Sequence, residues 1–246
     1  MMAAPLPLLG TFHEISVTAA DVRAAVEFYE RLGFTQATTG DTFAHLYGVL
    51  TDGRLTIGLH QRAGPSPVLT FVRPDIARSL DAFAAAGIQL THCRTGEEVF
   101  NEIAFADPFG HAVAVLEART YSPVARSADH TTLCGDFAEV SLPAADFAGA
   151  QSFWEPLGFV AMELPEDPYP QLSLTSDHID LAFHAPRVCA RPMLVFRDPR
   201  MRAHIARLRD LGVPTQAAPV SAERAAGSAL IESPDGTPLL LLEEEL

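Results

Sequence analysis

Two stretches of the chain nearly repeat each other: "HEISVTAADVRAAVEFYERLGF", residues 13–34, and "AEVSLPAADFAGAQSFWEPLGF", residues 138–159. Each opens on alternating apolar and polar residues, the period of a half-buried strand. Each then runs through Ala-Ala-Asp into apolar residues at helical spacing, Val22, Val26, Tyr29 and Leu32 in the first, and closes on Leu-Gly-Phe. Both strands carry a carboxylate in the same frame, Glu14 and Glu139. Desolvation penalises a charge at such a place, so the repeat of the carboxylate calls for a reason.

Working outward, the strand–helix unit occurs four times. "DIARSLDAFAAAGI" (75–88) and "RMRAHIARLRDLGV" (200–213) repeat the helix of the two quoted stretches. The four helices close on Gly33, Gly87, Gly158 and Gly212, able to take the left-handed conformation that ends a helix. The first three open on Asp21, Asp75 and Asp146, side chains suited to cap helical N–H groups. A short strand precedes each helix and alternating strands follow it. Four strand–helix–strand–strand–strand modules result, over residues 10–62, 66–118, 136–186 and 191–244. The first two form one domain, 1–120, and the last two a second, 136–246. The polar stretch 121–135 reads as the linker.

This arrangement resembles the vicinal oxygen chelate superfamily, which includes glyoxalase I, extradiol dioxygenases and the bleomycin- and fosfomycin-resistance proteins. The resemblance is carried by "AAD…FYERLGF", "AAD…FWEPLGF", the helix ends "AAGI" and "DLGV", and the late turns "DPFGH" (107–111) and "SPDGT" (233–237). It implies an α+β fold in which four βαβββ modules form two cup-shaped mixed sheets with flanking helices, a cleft in each cup, and in many members a divalent metal ion. Fold alone does not set the reaction.

Composition narrows the partners. The formal net charge of −14 disfavours nucleic acid and anionic membrane, and no apolar run is long enough for a membrane span. A small-molecule ligand, bound to a monomer or homodimer, is the expectation. All 17 basic residues are Arg, which excludes a Schiff-base or phosphate-binding Lys. Cys93, Cys134 and Cys189 are scattered and odd in number, as in a reducing cytoplasm. The opening "MMAAPLPLLG" has no basic start and two prolines, unlike a secretion signal.

Strand alternation assigns the cleft faces. Ile15 and Val17 belong under the helix, which turns Glu14 and Ser16 to the cleft; Val140 and Leu142 do the same for Glu139 and Ser141. "LTIGLHQ" puts His60 on the first cleft and "IDLAFHA" puts His184 on the second. The opposite walls are apolar or small: Val68, Thr70, Ala114 and Leu116 in one half, Met193, Val195, Leu240 and Leu242 in the other. His45, Ser16, Thr70, Ser141 and Met193 are the candidate substrate contacts, and Glu14 and Glu139 the candidate bases. The resemblance places metal ligands on the first and last strands of each module, where this chain offers Glu14, His60, Glu139 and His184 but neither of the usual ligands in the second module of each pair. The two-His-one-carboxylate iron site of a ring-cleaving dioxygenase therefore cannot be built in either half.

Two pairings of the modules stay open. Sequential pairing gives each cleft one Glu and one His, fewer than the three protein ligands of a catalytic metal, and leaves the Glu as a general base without an ion. Pairing of the first module with the third would gather both Glu and both His into one site for a single zinc, nickel, manganese or iron ion. Simpler roles fit the remaining candidates: His13 under the helix layer, His111 as a turn residue, Glu117 and Glu243 at strand ends in solvent, and Phe28, Tyr29, Phe153 and Trp154 in the core. The expected function is a glyoxalase-like lyase or isomerase that promotes proton transfer next to a carbonyl, with an atypical metal centre or none. The alternative is a protein that sequesters a small molecule, as bleomycin-resistance proteins do; an extradiol dioxygenase fits less well.

Overall fold

The fold is taken from a computed structural model that describes residues 7–38, 44–118, 132–163 and 168–244. In the first half the strands are β1 (Thr11–Thr18), β2 (Thr35–Gln36), β3 (Tyr47–Thr51), β4 (Thr56–His60), β5 (Val68–Arg73), β6 (Leu90–Arg94), β7 (Glu102–Ala106) and β8 (Ala112–Glu117). Helix α1 (Val22–Arg31) follows β1 and α2 (Ile76–Ala85) follows β5. The second half has β9 (Asp136–Pro143), α3 (Phe147–Trp154), β10 (Val160–Met162), β11 (Gln171–Thr175), β12 (Leu181–His184), β13 (Met193–Asp198), α4 (Met201–Asp210), β14 (Ser228–Glu232) and β15 (Pro238–Glu243).

The strands make two mixed sheets, ordered β2-β3-β4-β1-β5-β8-β7-β6 and β10-β11-β12-β9-β13-β15-β14. In each, the first strands of neighbouring modules pair antiparallel at the centre, β1 with β5 and β9 with β13. The modules therefore pair sequentially, and the cross-paired arrangement of first with third does not occur. The fourth module has one strand fewer than expected. Residues 214–220 carry Pro214 and Pro219, which lack the N–H a ladder needs, and only the isolated bridge Gln216–Leu230 forms there.

Asp21 and Asp146 cap their helices as expected, accepting from the backbone N–H of Ala24 at 3.0 Å and Gly149 at 3.1 Å. Asp75 does not: it sits at φ 54° and makes no capping bond. Glu117 takes its place, accepting from Ile76 N at 2.9 Å and Asn101 Nδ2 at 3.1 Å. Glu243 likewise accepts from Arg202 Nε at 2.8 Å. Neither is the solvated strand end that alternation suggested, because each closes an interior strand against a helix start.

A bulge in the central pair sets which side chains meet the core. Phe12 pairs with Phe71 and Glu14 with Thr70, so His13 is the extra residue; Phe137 and Glu139 pair with Phe196 and Val195, so Ala138 is its counterpart. The extra residue reverses the alternation, letting Phe12 and Phe137 pack inward while Glu14 and Glu139 stay on the opposite face. It also brings His13, expected under the helix layer, to 3.8 Å from Glu14.

The helix-bearing faces of both sheets share one apolar core. Phe34 meets Phe196 and Phe105 meets Phe153 across the two halves. Trp154 Nε1 donates to Asp107 Oδ2 at 3.3 Å, and the same oxygen pairs with His111 Nδ1 at 2.8 Å. His111 is thus part of a buried clasp as well as of its turn. Tyr29, the residue aligned with Trp154, is fully buried; burial and the neighbouring Asp235 push its hydroxyl pKa up. Most of the expected linker, residues 121–131, lies outside the described residues, but Cys134 at its end is fully buried and Leu133 N donates to Leu32 O at 2.8 Å.

Replacing Trp154 with Phe strands Asp107 without its indole donor inside the core. Equilibrium denaturation should show a loss of about 1–3 kcal/mol, the net worth of one buried hydrogen bond to a charged group, since His111 still serves the carboxylate.

Candidate active site

Each sheet has a second face, away from the shared core, and these faces are the concave ones. On the first, Glu14 is 4% exposed and its Oε1 is the end point of a hydrogen-bond fan. Ser16 Oγ donates to it at 2.6 Å. Since that uses the only Ser16 proton, the 2.8 Å contact between Ser16 and Thr70 must have Thr70 as donor. From the other side His60 Nε2 lies 3.1 Å from Oε1, and an ionised carboxylate only accepts, so Nε2 carries the hydrogen. His60 Nδ1 and His45 Nε2, 2.9 Å apart, share one proton. Tyr47 stacks on the His60 ring with planes 9° apart and centroids 5.9 Å apart. Oε2 of Glu14 has His13 Nε2 at 3.8 Å.

The placement has local causes. Ser16 pairs with Gly58 on β4, and a methyl at Gly58 would run into the Glu14 carboxylate. Thr18 pairs with His60, and Tyr47 with His60 from β3, which sets the imidazole beside the acid and under the phenol. Burial alone would push the Glu14 pKa up; the His60 and Ser16 hydrogen bonds, with the nearby His13 and His60 charges, outweigh it and hold the carboxyl below its ordinary value. Burial, with repulsion from His60 and Arg62, lowers the pKa of His45.

The second concave face holds the same three residue types, wired differently. His184 Nε2 lies 2.9 Å from Cys189 O, to which it donates, and its Nδ1 takes the Ser141 hydrogen at 2.7 Å. Serine and imidazole are therefore spent on each other and on the backbone. Glu139, 8% exposed, keeps a long 3.4 Å contact from Gln171 Nε2. Burial raises its pKa, and the Arg197 charge and Gln171 offset that only in part. Tyr169 Oη lies 3.5 Å from Ser141 Oγ. Burial pushes the Tyr169 hydroxyl up to about 12. Met193, Val195, Leu240, Leu242 and Tyr169 pack together there as a separate apolar cluster.

Of the residues singled out from sequence, Glu14, Ser16, His45, His60 and Thr70 come together in the first cup. Glu139, Ser141, His184 and Met193 come together in the second. The four Glu and His do not converge, because the shared core lies between the two concave faces. Reading the chain missed Tyr47, Tyr169 and Gln171; Tyr47 was visible as a cleft-side neighbour only once strand register was known.

Residues 11–115 match the Glyoxalase/Bleomycin resistance protein/Dioxygenase superfamily. The first half of the chain therefore carries a domain of this superfamily. Among solved structures it is similar to the 2,3-dioxygenase LapB from Pseudomonas sp. KL28, with TM-score 0.61, 17% identity, and 96% of this chain and 92% of that one covered. It is similar to the Mn(II)-bound glyoxalase from Novosphingobium aromaticivorans, with TM-score 0.59, 16% identity, and 94% and 80% covered. It is also similar to the E323L mutant of homoprotocatechuate 2,3-dioxygenase from Brevibacterium fuscum, with TM-score 0.64, 14% identity, and 99% and 74% covered. At these identities the likeness is one of fold. No curated protein matches the sequence. Among the described residues no helix is long and apolar enough to cross a membrane.

The side chains do not fit a resident metal ion of the kind such relatives hold. Glu14 and His60 are bonded to each other, the facing wall of the cup offers Thr70, Ala114 and Leu116, and no group of three or more His, Cys, Asp or Glu among the described residues could hold an ion.

The opposite pKa shifts of the two Glu give opposite stability profiles. Glu14, lowered on folding, stabilises the fold above its unfolded pKa, and that stability is lost as pH falls through the folded value. Glu139, raised on folding, favours the native state below its unfolded pKa, and that gain is lost as pH rises through the folded value. Urea denaturation at pH 8 should therefore find Glu139→Gln more stable than wild type by up to about 1 kcal/mol, and Glu14→Gln less stable by about 1–3 kcal/mol, the cost of a broken charge-assisted bond.

Proposed function

We propose that the first cup is an active site for a small organic molecule, and that Glu14 moves a proton at a carbon next to a carbonyl, as in a glyoxalase-like lyase or isomerase. One observation carries the reading: the hydrogen bonds from Ser16 and His60 converge on Oε1 of a buried carboxylate, held ionised with Oε2 turned to other use. A carboxylate serving only the fold gains nothing from a water-poor cup, where its desolvation is costly. A fixed base gains a great deal there, because its orientation and charge are set before the ligand arrives.

In the proposed step Oε2 removes the proton and the C–H electron pair moves into the carbonyl to form an enol or enolate. With an α-hydroxy carbonyl compound, return of that proton from Glu14 to the former carbonyl carbon, while the hydroxyl proton passes to the former carbonyl oxygen, gives the isomer; expulsion of a β-substituent with its bonding electron pair instead gives the lyase product. His13 Nε2, 3.8 Å from Oε2, is placed to donate to a developing oxyanion. His60 and His45 extend from Glu14 to a partly exposed ring, so an excess proton on the carboxyl has a route outward. No step runs through a metal ion.

Exchange of α-protons in D2O, followed by NMR on a panel of small hydroxyketones and 2-oxo compounds, tests the base directly. Glu14→Gln should reduce exchange by roughly 10²–10⁴-fold, the usual contribution of a positioned base, while the protein stays folded. Exchange that survives in Glu14→Gln ends the assignment, and binding without exchange in the wild type would make the cup a sequestering site. Prior treatment with a chelator should leave the exchange rate unchanged; a rate lost and then restored by Mn(II) would overturn the metal-free step.

A further inference from the structure

The two cups differ on the walls facing their acids. In the first, Glu14 pairs with Thr70, Thr70 with Ala114, and Ala114 with Ala104; Ala112 follows beside Ala106. Counted along the same ladder in the second cup, Glu139 pairs with Val195, Val195 with Leu240, and Leu240 with Leu230. Thr70, Ala114 and Ala104 thus correspond to Val195, Leu240 and Leu230. On the other side of the acid, register places Tyr47 opposite His60 and Gln171 opposite His184, which makes Tyr169 the counterpart of His45.

These exchanges decide what fills each cup. Leu240, Leu242, Val195, Met193 and Tyr169 close the second one, and the chain itself completes it with Val188, Cys189, Ala218 and Val220. Leu240 and Leu242 are fully buried there. In the first cup the corresponding Ala114 and Leu116 are only half-buried, as are Ala104 and Ala112, and no such cluster forms on that face among the described residues. Missing methyl and isobutyl groups on an otherwise matching floor leave room that a well-packed protein does not leave without cause.

Resting on the reading of the first cup as the site, we propose that Ala104, Ala112 and Ala114 are the specificity-determining residues of this protein. They seat the compact apolar body of the ligand in the space that Leu230 and Leu240 fill in the second cup. The ligand class is an uncharged molecule with an apolar ring or branched chain and one proton-donating group. The apolar part lies on the three alanines and the donor meets Glu14. An anion is rejected, because its charge would meet the Glu14 carboxylate in a water-poor cup. The second cup binds nothing: its own leucines and tyrosine stand where a ligand would.

Benzyl alcohol and benzoate, the same ring with a neutral donor or an anionic group, are suitable probes, read by ligand-observed NMR on the full chain. Wild type should bind benzyl alcohol and bind benzoate at least about tenfold more weakly, since one buried like-charge contact costs that much. Ala114→Leu should lose at least about tenfold in affinity for benzyl alcohol by filling the seat. It should also keep or raise the midpoint of urea denaturation, because the second cup shows that leucine packs at this position. Should Ala114→Leu fail to fold, Ala104→Val makes a smaller intrusion and should weaken the same probe. Conversely, Leu240→Ala should open the second cup to benzyl alcohol. Wild type that binds neither probe, or folded Ala114→Leu with unchanged affinity, overturns the proposal. Glu14→Gln should narrow the preference for benzyl alcohol over benzoate, because the like charge is gone. Failure of the seat is read apart from failure of the base: unchanged benzyl alcohol affinity in Ala114→Leu concerns the alanines, and exchange that survives in Glu14→Gln concerns the base.

Discussion

The structure depends on one constraint: both sheets must bury the face that carries their helices, and they bury it against each other. Phe34 on Phe196, Phe105 on Phe153, and the Trp154–Asp107–His111 clasp lie in that shared interior. An amphipathic sheet offers only one apolar face, so joining the two halves this way points the concave faces outward. Each cup must then be furnished from its own strands. A centre shared between halves, attractive when Glu and His are counted along the chain, is ruled out by where the apolar residues go.

Within that frame, duplication has led to two outcomes from one set of side chains. Glu, Ser and His recur in matching register, at 14, 16 and 60 and at 139, 141 and 184. In the first cup serine and imidazole both serve the acid, and their bonds overcome its desolvation. In the second, the loop after β12 brings the Cys189 carbonyl to His184, serine follows the imidazole, and the acid keeps a long amide contact. A few kcal/mol separate a carboxylate that burial disfavours from one that its donors hold ionised, and two hydrogen bonds to a charge are of that size.

Local chemistry written along the chain was readable in advance. Asp21 and Asp146 cap α1 and α3, the closing glycines take positive φ, and Ile15, Val17, Val140 and Leu142 lie under the helices. These follow from periods of two and 3.6 residues and from turn chemistry, which need no distant partner. His13, Asp75 and Glu117 were misread for one reason. A bulge shifts the alternation by one residue, and a cap arrives from a strand 41 residues away; neither leaves a mark at its own position.

The amino-acid sequence by itself determined the four modules, the α+β class, and the acid and imidazole that each cup contains, because all of these rest on spacing within one strand or helix. Only the tertiary structure decided which modules share a sheet, that the cups face apart, that His45, His60, Ser16 and Thr70 feed Glu14, and that Glu139 stands in a cup already full. Those are relations between strands distant in the chain. They are settled by how one apolar face is buried against another, a choice that no short stretch of residues makes on its own.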